Sequence, residues 1–420
     1  MKTVSKKEIL VIGNNAKEAS RSISLLEPKL KNDILRAASE NLLKNMSIII
    51  DENKKDVEDN KDKLTPATLD RLVLDEKRIK SMCDGLVDIS KLNDPIGKLL
   101  DKWDRPNGLK IEKVSIPLGV IGVIYESRPN VAADAAGLTL KSGNTLILRG
   151  GSESFNSSSK IVELINETYR QFKLPIGTLQ YIPTTDRAAV GYMLEMDNYI
   201  DVIIPRGGKS LIERVLKDSK VHVIRHLDGI CHTYIHKTSD PDLCKEVTVN
   251  AKMRRPGICG ATETILIDHE VLGSHLNNIV SSLQQKGCLV KGDKEILDKI
   301  NSIELANDSD WSTEYLDKIV SIKTIKGGVE EAVNHINKYG SGHTDAILSD
   351  DEAVVDYFLN NVDSGIVMHN TSTQFADGGE FGMGAEIGIS TSKVHARGPV
   401  GVAQLTSFKY KVLGTGQIRP

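Results

Sequence analysis

The chain has 420 residues, 40% of them hydrophobic and 26% charged, the proportions of an ordinary soluble globular protein. At ~100–200 residues per domain this length favours two or three domains, enough to enclose a cleft. A formal net charge of −3, from 54 Lys+Arg against 57 Asp+Glu, gives no electrostatic reason to expect nucleic acid or an anionic membrane as partner.

No apolar run approaches the ~20 residues that span a bilayer. The N-terminal stretch, with Lys2, Lys6, Lys7 and then Glu8, lacks the uninterrupted apolar segment of a signal peptide. Five cysteines, Cys83, Cys231, Cys244, Cys259 and Cys288, are odd in number, widely spaced and without a CxxC pair. That usage points to reduced thiols in a cytoplasmic compartment, one of them free to react. Aromatics are only 4%, so Leu, Ile, Val and Ala must fill the cores.

The first ~100 residues read as helices, with Leu25, Leu26, Leu30, Ile34, Leu35, Leu42 and Leu43 recurring at helical spacing. The charge run Asp51 to Lys63 reads as a solvated helix face or loop. From about Val114 strands and helices alternate. Apolar runs at Val120–Ile124, Thr145–Leu148, Leu179–Ile182, Ile200–Ile204 and Val221–Ile224 are separated by helical stretches at Asn130–Lys141, Ser154–Phe172, Asp186–Met196 and Lys209–Lys217. This predicts a parallel sheet buried on both faces. Ligands of such sheets sit beyond the strands' C-terminal ends, which draws attention to Glu126–Asn130, Arg149–Ser152 and Pro205–Ser210. A second α/β region follows, with a helix at Asp242–Met253, a strand at Thr262–Ile267 and a helix at Glu330–Tyr339. Phe375–Gly401 is rich in glycine, and Val402–Leu413 alternates like a strand.

Several motifs bear on chemistry. Gly257-Ile258-Cys259-Gly260-Ala261 surrounds a thiol with small residues, leaving room for a carbonyl and bringing backbone N–H groups near a developing oxyanion. Lys252, Arg254 and Arg255 just upstream could lower the thiol pKa or hold an anionic substrate. The competing account is a buried structural cysteine beside a turn. Gly207, Gly208, Lys209 and Ser210 open a helix after a buried strand, where amides and the helix N-terminus suit a phosphate. A turn of this kind also needs glycine for purely steric reasons. It is no P-loop, since the earlier glycine of that motif would fall at Ile203.

Arg149 ends a strand, where an arginine suits a ribose phosphate; a plain solvent-facing arginine accounts for it equally well. Asn130, in the turn Arg128-Pro129-Asn130, is either a helix N-cap or an amide donor to an oxyanion. Gly382, Gly384 and Gly388 imitate a dinucleotide fingerprint, but the last glycine is one residue late. Cys231, His232 and His236 imitate zinc ligands, but no fourth ligand is suggested, and no metal site is expected.

Taken together, these segments resemble the aldehyde dehydrogenase superfamily, most closely its gamma-glutamyl phosphate reductase branch, along nearly the whole chain. The most specific stretches are PLGVIGVIYESRPNVAADAAGLTLKSGN (Pro117–Asn144), NAKMRRPGICGATETILI (Asn250–Ile267), STEYLD (Ser312–Asp317), NKYGSGHTDAIL (Asn337–Leu348) and FADGGEFGMGAEIGIST (Phe375–Thr391). The resemblance implies NADPH-dependent reduction of L-glutamate 5-phosphate through a thioester on Cys259, in proline biosynthesis. It implies that Asn130 helps form the oxyanion hole and that Arg149 lies near the adenosine ribose. Gly207 to Ser210 would lie near the pyrophosphate, and Glu314 would contact the nicotinamide ribose. Arg128, Arg254 and Arg255 are the candidates for the substrate's phosphate or carboxylates.

Hydrolytic members carry a water-activating glutamate; here His226 or Asp228 falls at its place, which fits phosphate instead of water as acceptor. The implied fold is α/β, with a Rossmann-like cofactor domain, an α/β catalytic domain and a small oligomerisation flap. The divisions expected are 1–225 for NADPH binding, 226–390 for catalysis and 391–420 for the C-terminal return. The flap would join Arg105–Lys113 to Gln404–Val412. A homo-oligomer is expected, of unspecified order. A separate glutamate kinase would be a sensible transient partner for a labile acyl phosphate, although no residue demonstrates it.

Overall fold

The computed structural model describes residues 5–225 and 228–419. Apolar residues at helical spacing build α1 (Lys6–Ile23), α2 (Pro28–Lys44), α3 (Met46–Asn60), α4 (Pro66–Leu72) and α5 (Glu76–Lys91). Ser5 starts α1 through a capping box with Glu8. The charge run lies largely on α3, where Lys54–Asp51 and Lys55–Glu52 pair on the surface. Asp56 departs from that reading. It is buried, and its carboxylate accepts the Asn156 N–H at 3.1 Å and the Ser157 N–H at 2.8 Å, satisfying the start of a helix far along the chain.

An antiparallel hairpin of β1 (Leu99–Asp104) and β2 (Lys110–Pro117) leads into the first parallel sheet. Its strands are β3 (Val120–Tyr125), β4 (Thr145–Arg149), β5 (Leu179–Tyr181), β6 (Val202–Arg206) and β7 (His222–Val223), in the order β5-β4-β3-β6-β7. Between them run α6 (Val131–Lys141), α7 (Phe155–Gln171), α8 (Ala188–Leu194) and α9 (Lys209–Asp218). Every residue of β3 and β4 is buried, as a sheet covered on both faces requires. β3 has its sequence neighbour β4 on one side and β6 on the other, so the strand order reverses there.

The second sheet takes β8 (Cys231–Ile235), β9 (Thr262–Asp268), β10 (Leu289–Gly292), β11 (Glu304–Leu305), β12 (Ile319–Ile325), β13 (Thr344–Leu348) and β14 (Ile366–His369). It is parallel throughout, in the order β11-β10-β12-β9-β8-β13-β14. Helices α10 (Pro241–Met253), α11 (Leu272–Gln285), α12 (Lys294–Lys299), α13 (Gly328–Tyr339) and α14 (Glu352–Asn361) connect its strands. Ile235, Ile265, Ile267, Leu276, Ile279, Leu283 and Ile322 form one of its cores. Two short strands, β15 (Ile389–Ser390) and β16 (Gly398–Pro399), pair antiparallel. The final strand, β17 (Thr406–Leu413), returns to pair with β2, making the three-stranded sheet β1-β2-β17.

Of the described residues, 5–225, 382–388 and 400–419 form one compact unit, and 228–381 with 389–399 form the second. Among the described residues no helix is long and apolar enough to cross a membrane.

Candidate active site

All five cysteines are unbridged, and four of them are buried: Cys83, Cys231, Cys244 and Cys288. Burial pushes Cys83 up to about 12 and Cys244 and Cys288 up to about 11, so these thiols stay protonated and inert. Cys259 alone is partly exposed. It sits in the turn between α10 and β9, where the Ala261 N–H closes onto the Ile258 carbonyl at 3.0 Å. The Cys259 backbone N–H makes no hydrogen bond among the described residues, which leaves a donor beside the sulfur.

The surroundings hold that turn still. The Cys231 thiol donates to the Cys259 carbonyl at 3.1 Å, and burial above all pushes it well up, so it acts as a donor and no rival nucleophile. Gly229 packs so closely that a Cβ there would lie 2.6 Å from the Cys259 Cα; only glycine fits. The segment carrying Gly229 is itself tied down, its N–H donating to Glu314 Oε1 at 2.8 Å and the Ile230 N–H to Ser341 Oγ at 2.9 Å. Beneath the turn Lys252 and Glu263 form a fully buried ion pair. Burial, only partly offset by Lys252, raises the Glu263 carboxyl from its ordinary 4.5 to about 7. His343 is also buried and lowered to about 4, hence a neutral ring near Cys231, 3.6 Å from its sulfur.

In the first unit the C-terminal ends of the parallel strands gather the other candidates. Asn130 precedes α6 but caps none of its amides; its Nδ2 donates instead to Asp134 Oδ2 at 2.9 Å. Asn130 thus occupies the N-cap position of α6 without capping through its side chain. Burial raises Asp134 to about 6, against the opposing effects of Asn130 and the Arg206 charge. Arg149 is no solvent-facing arginine, being only 6% exposed. Its guanidinium donates to the Gly150 carbonyl and, at 3.1 Å, to that of Thr185. Its Nε and the hydroxyls of Tyr125 and Tyr181 are buried without a hydrogen-bond partner in good geometry among the described residues. The two tyrosines converge on Gly150, where a Cβ would stand 2.7 Å from the Tyr181 oxygen. Gly207, Gly208, Lys209 and Ser210 are exposed at the start of α9, and the Gly208 N–H is taken by Glu126 Oε2 at 2.9 Å.

The sequence matches the aldehyde dehydrogenase family over residues 1–291. It is 53% identical over 410 residues to the gamma-glutamyl phosphate reductase of Paramagnetospirillum magneticum, covering 97% of each chain. It is 55% identical to that of Rhodospirillum rubrum, covering 97% of this chain and 96% of the relative. The crystal structure of the gamma-glutamyl phosphate reductase of Thermotoga maritima superposes with a TM-score of 0.95 at 38% identity, covering 98% of this chain and all of that one. The chain belongs to the gamma-glutamyl phosphate reductases of the aldehyde dehydrogenase family. It is therefore an oxidoreductase, and members of its family work with nicotinamide cofactors.

Within this reductase family member, the remaining candidates are scattered. Arg254 and Arg255 are exposed just past α10, and Arg128 is half-buried after β3. Glu314, for which the family resemblance implies a ribose contact, has one carboxylate oxygen on the Gly229 N–H. His226 lies outside the described residues; Asp228 precedes β8. His232 is buried with its Nδ1 2.8 Å from Asp345, and the His236 Nδ1 is 3.0 Å from Ser349 Oγ. No cluster of three metal-ligating side chains occurs among the described residues. Motif reading passed over Asp134, Gly229 and Gln374; Glu126 fell within a strand end already marked for ligands, and Cys231 was weighed only as a zinc ligand. Only the i,i+4 spacing of Asn130 and Asp134 carried a readable signal.

Proposed function

We propose that this enzyme reduces L-glutamate 5-phosphate to L-glutamate 5-semialdehyde with NADPH, releasing phosphate, in the biosynthesis of proline. The observation that carries the chemistry is the accessibility of Cys259 in a chain whose other four thiols are buried.

The Cys259 thiolate attacks the acyl carbon, and the carbonyl oxygen becomes an oxyanion. The Cys259 N–H is assigned to it as one donor, and the Asn130 amide, one of whose hydrogens is held by Asp134, is assigned as the other. Collapse expels phosphate and leaves a thioester, dividing one reduction into two easier steps. NADPH, when bound, supplies hydride to that thioester. The same donors then hold the thiohemiacetal oxygen until the carbon–sulfur bond breaks and the aldehyde leaves. The fixed position of the Cys259 turn, held by Gly229, Cys231 and the Lys252–Glu263 pair, keeps the sulfur where attack requires it.

The orphaned donors at Arg149, Tyr125 and Tyr181 fit a cofactor rich in phosphate and hydroxyl acceptors. We assign Arg149 to the adenosine ribose phosphate, the residues Gly207 to Ser210 to the pyrophosphate, and Glu314 to the nicotinamide ribose. Arg128, Arg254 and Arg255 are assigned to the substrate's phosphate or carboxylates. The sheet β1-β2-β17, exposed along β1 and β17, is the proposed seat of a homo-oligomer. The reduced cysteines suit a cytoplasmic enzyme, and the lability of its acyl phosphate favours transient contact with a separate glutamate kinase.

The test is the reverse reaction, NADP⁺ reduction by glutamate 5-semialdehyde with and without inorganic phosphate. Turnover that requires phosphate supports this reading. Equal turnover without phosphate makes water the acceptor and the enzyme a hydrolytic aldehyde dehydrogenase.

A further inference from the structure

The second unit holds a cavity of about 340 Å³ between the exposed side of α10 and the segment after β14. Three of its lining residues, Glu246, Asn250 and Arg254, are spaced four apart, so they share one face of α10 and its C-terminal extension. Gln374, Phe375 and Glu380 line the opposite side.

The wall on that side is tied to both flanks of the nucleophile's turn. Gln374 Nε2 donates to the Ala251 carbonyl at 2.9 Å and, at 3.4 Å, to that of Arg255. Thr373 Oγ1 lies 3.0 Å from Thr262 Oγ1, and its carbonyl is 3.2 Å from where a Cβ of Gly260 would stand. Whatever fills the cavity is therefore framed by the segments that position Cys259.

Asn370 and Ser372 are engaged by neighbouring backbone, but other polar groups of this cavity are uncommitted. The Gln374 side chain is 4% exposed, yet its Oε1 finds no donor among the described residues. A buried acceptor left unpaired costs free energy until a donor arrives. The carboxylates of Glu246 and Glu380 and the Arg254 guanidinium likewise pair with no side chain among the described residues. Two carboxylates and an orphaned carbonyl oxygen against one guanidinium repel a phosphate dianion. They suit a ligand end that carries an ammonium together with a carboxylate.

We infer that this cavity holds the α-amino-acid end of the substrate, with Glu246, Glu380 and Gln374 Oε1 receiving the ammonium and Arg254 the carboxylate. The inference rests on the proposed function and deepens it, giving the head group to Arg254 and leaving Arg128 and Arg255 for the phosphate. The enzyme then distinguishes its substrate from an aldehyde of the same length without the amino group. A site built around a donor rejects the analogue lacking it, because its acceptors stay unpaired.

The experiment measures phosphate-dependent NADP⁺ reduction with L-glutamate 5-semialdehyde and with 5-oxopentanoate, which lacks only the ammonium. The native enzyme should favour the amino substrate by ~10²-fold or more in kcat/KM. In E246Q/E380Q that ratio should shrink to ~10-fold or less, and R254Q should raise KM for both aldehydes while leaving KM for phosphate in place. These side chains are exposed, so folding should be unaffected, which circular dichroism checks. A ratio unchanged in E246Q/E380Q, or an R254Q defect confined to KM for phosphate, overturns the assignment while the reductase reading stands. Absence of any phosphate-dependent oxidation by the native enzyme overturns the reductase reading itself, and this inference with it.

Discussion

The two parallel sheets place their candidate residues at opposite ends. In the first, Glu126 and Asn130 after β3, Arg149 at the end of β4, and Gly207 after β6 all lie at C-terminal strand ends, around the point where strand order reverses. In the second, Gly229 and Cys231 at the start of β8, Cys259 before β9, and Ser341 before β13 lie at the N-terminal edge. The difference is chemical. A phosphate-bearing cofactor is recognised by amides and helix starts, which a parallel sheet offers where its strands end. A thiol nucleophile needs a fixed turn and a spare N–H, and any edge whose loops are tied together can supply these.

The substitution that would break this division most decisively is C259A. It should lower reduction by ~10⁴-fold or more while NADPH titration, followed by fluorescence, stays as in the native enzyme. Residual turnover near the native rate would remove Cys259 as nucleophile. Next comes the support under the turn. K252M leaves Glu263 buried without its partner and should cost ~3–5 kcal/mol in a denaturant titration, with K252M/E263L recovering much of it.

Because the Glu263 carboxyl is raised to about 7 in the folded state, folding takes up a proton on it below that pH. Its contribution to stability therefore grows as pH falls from about 7 toward 4.5, and K252M should be relatively more stable at the acid end of that window. The opposite slope would count against the assignment. N130A should lower kcat ~10²–10³-fold with cofactor affinity kept, and a loss confined to KM would argue that the amide does not face the oxyanion. The smallest effect belongs to the first sheet: R149M should weaken NADPH ~10-fold more than NADH, whereas equal losses would make its carbonyl hydrogen bonds its whole role.

Periodicity made the helical start, the first sheet and the strand that returns along β2 legible in the sequence. It was silent on much of the second sheet. α11 carries a readable stripe at Leu272, Leu276, Ile279 and Leu283, but β11 is two residues long and β14 four, too short for alternation to register. The cysteine proposed as nucleophile was legible because small residues around a thiol have a chemical reason. What holds it was not. Gly229 lies thirty residues from Cys259, and its need for glycine arises only when the loops before β8 and β9 meet. Asp56 reads as one more charge in a solvated run; its burial depends on the start of α7, a hundred residues further on. The Gln374 side chain is ordinary in sequence and becomes informative only through one unpaired oxygen.

The strand that closes the chain has a kinetic consequence. From Ser407 to Leu413 every residue of β17 is exposed, Phe408, Tyr410 and Val412 among them, and among the described strands it pairs with β2 alone. A ladder with so little buried area opens by local fluctuation at small free energy, well before either large sheet. Its amides should exchange with deuterium faster than those of β3 or β9, and dilution should speed them further if a second copy of the chain covers this arm.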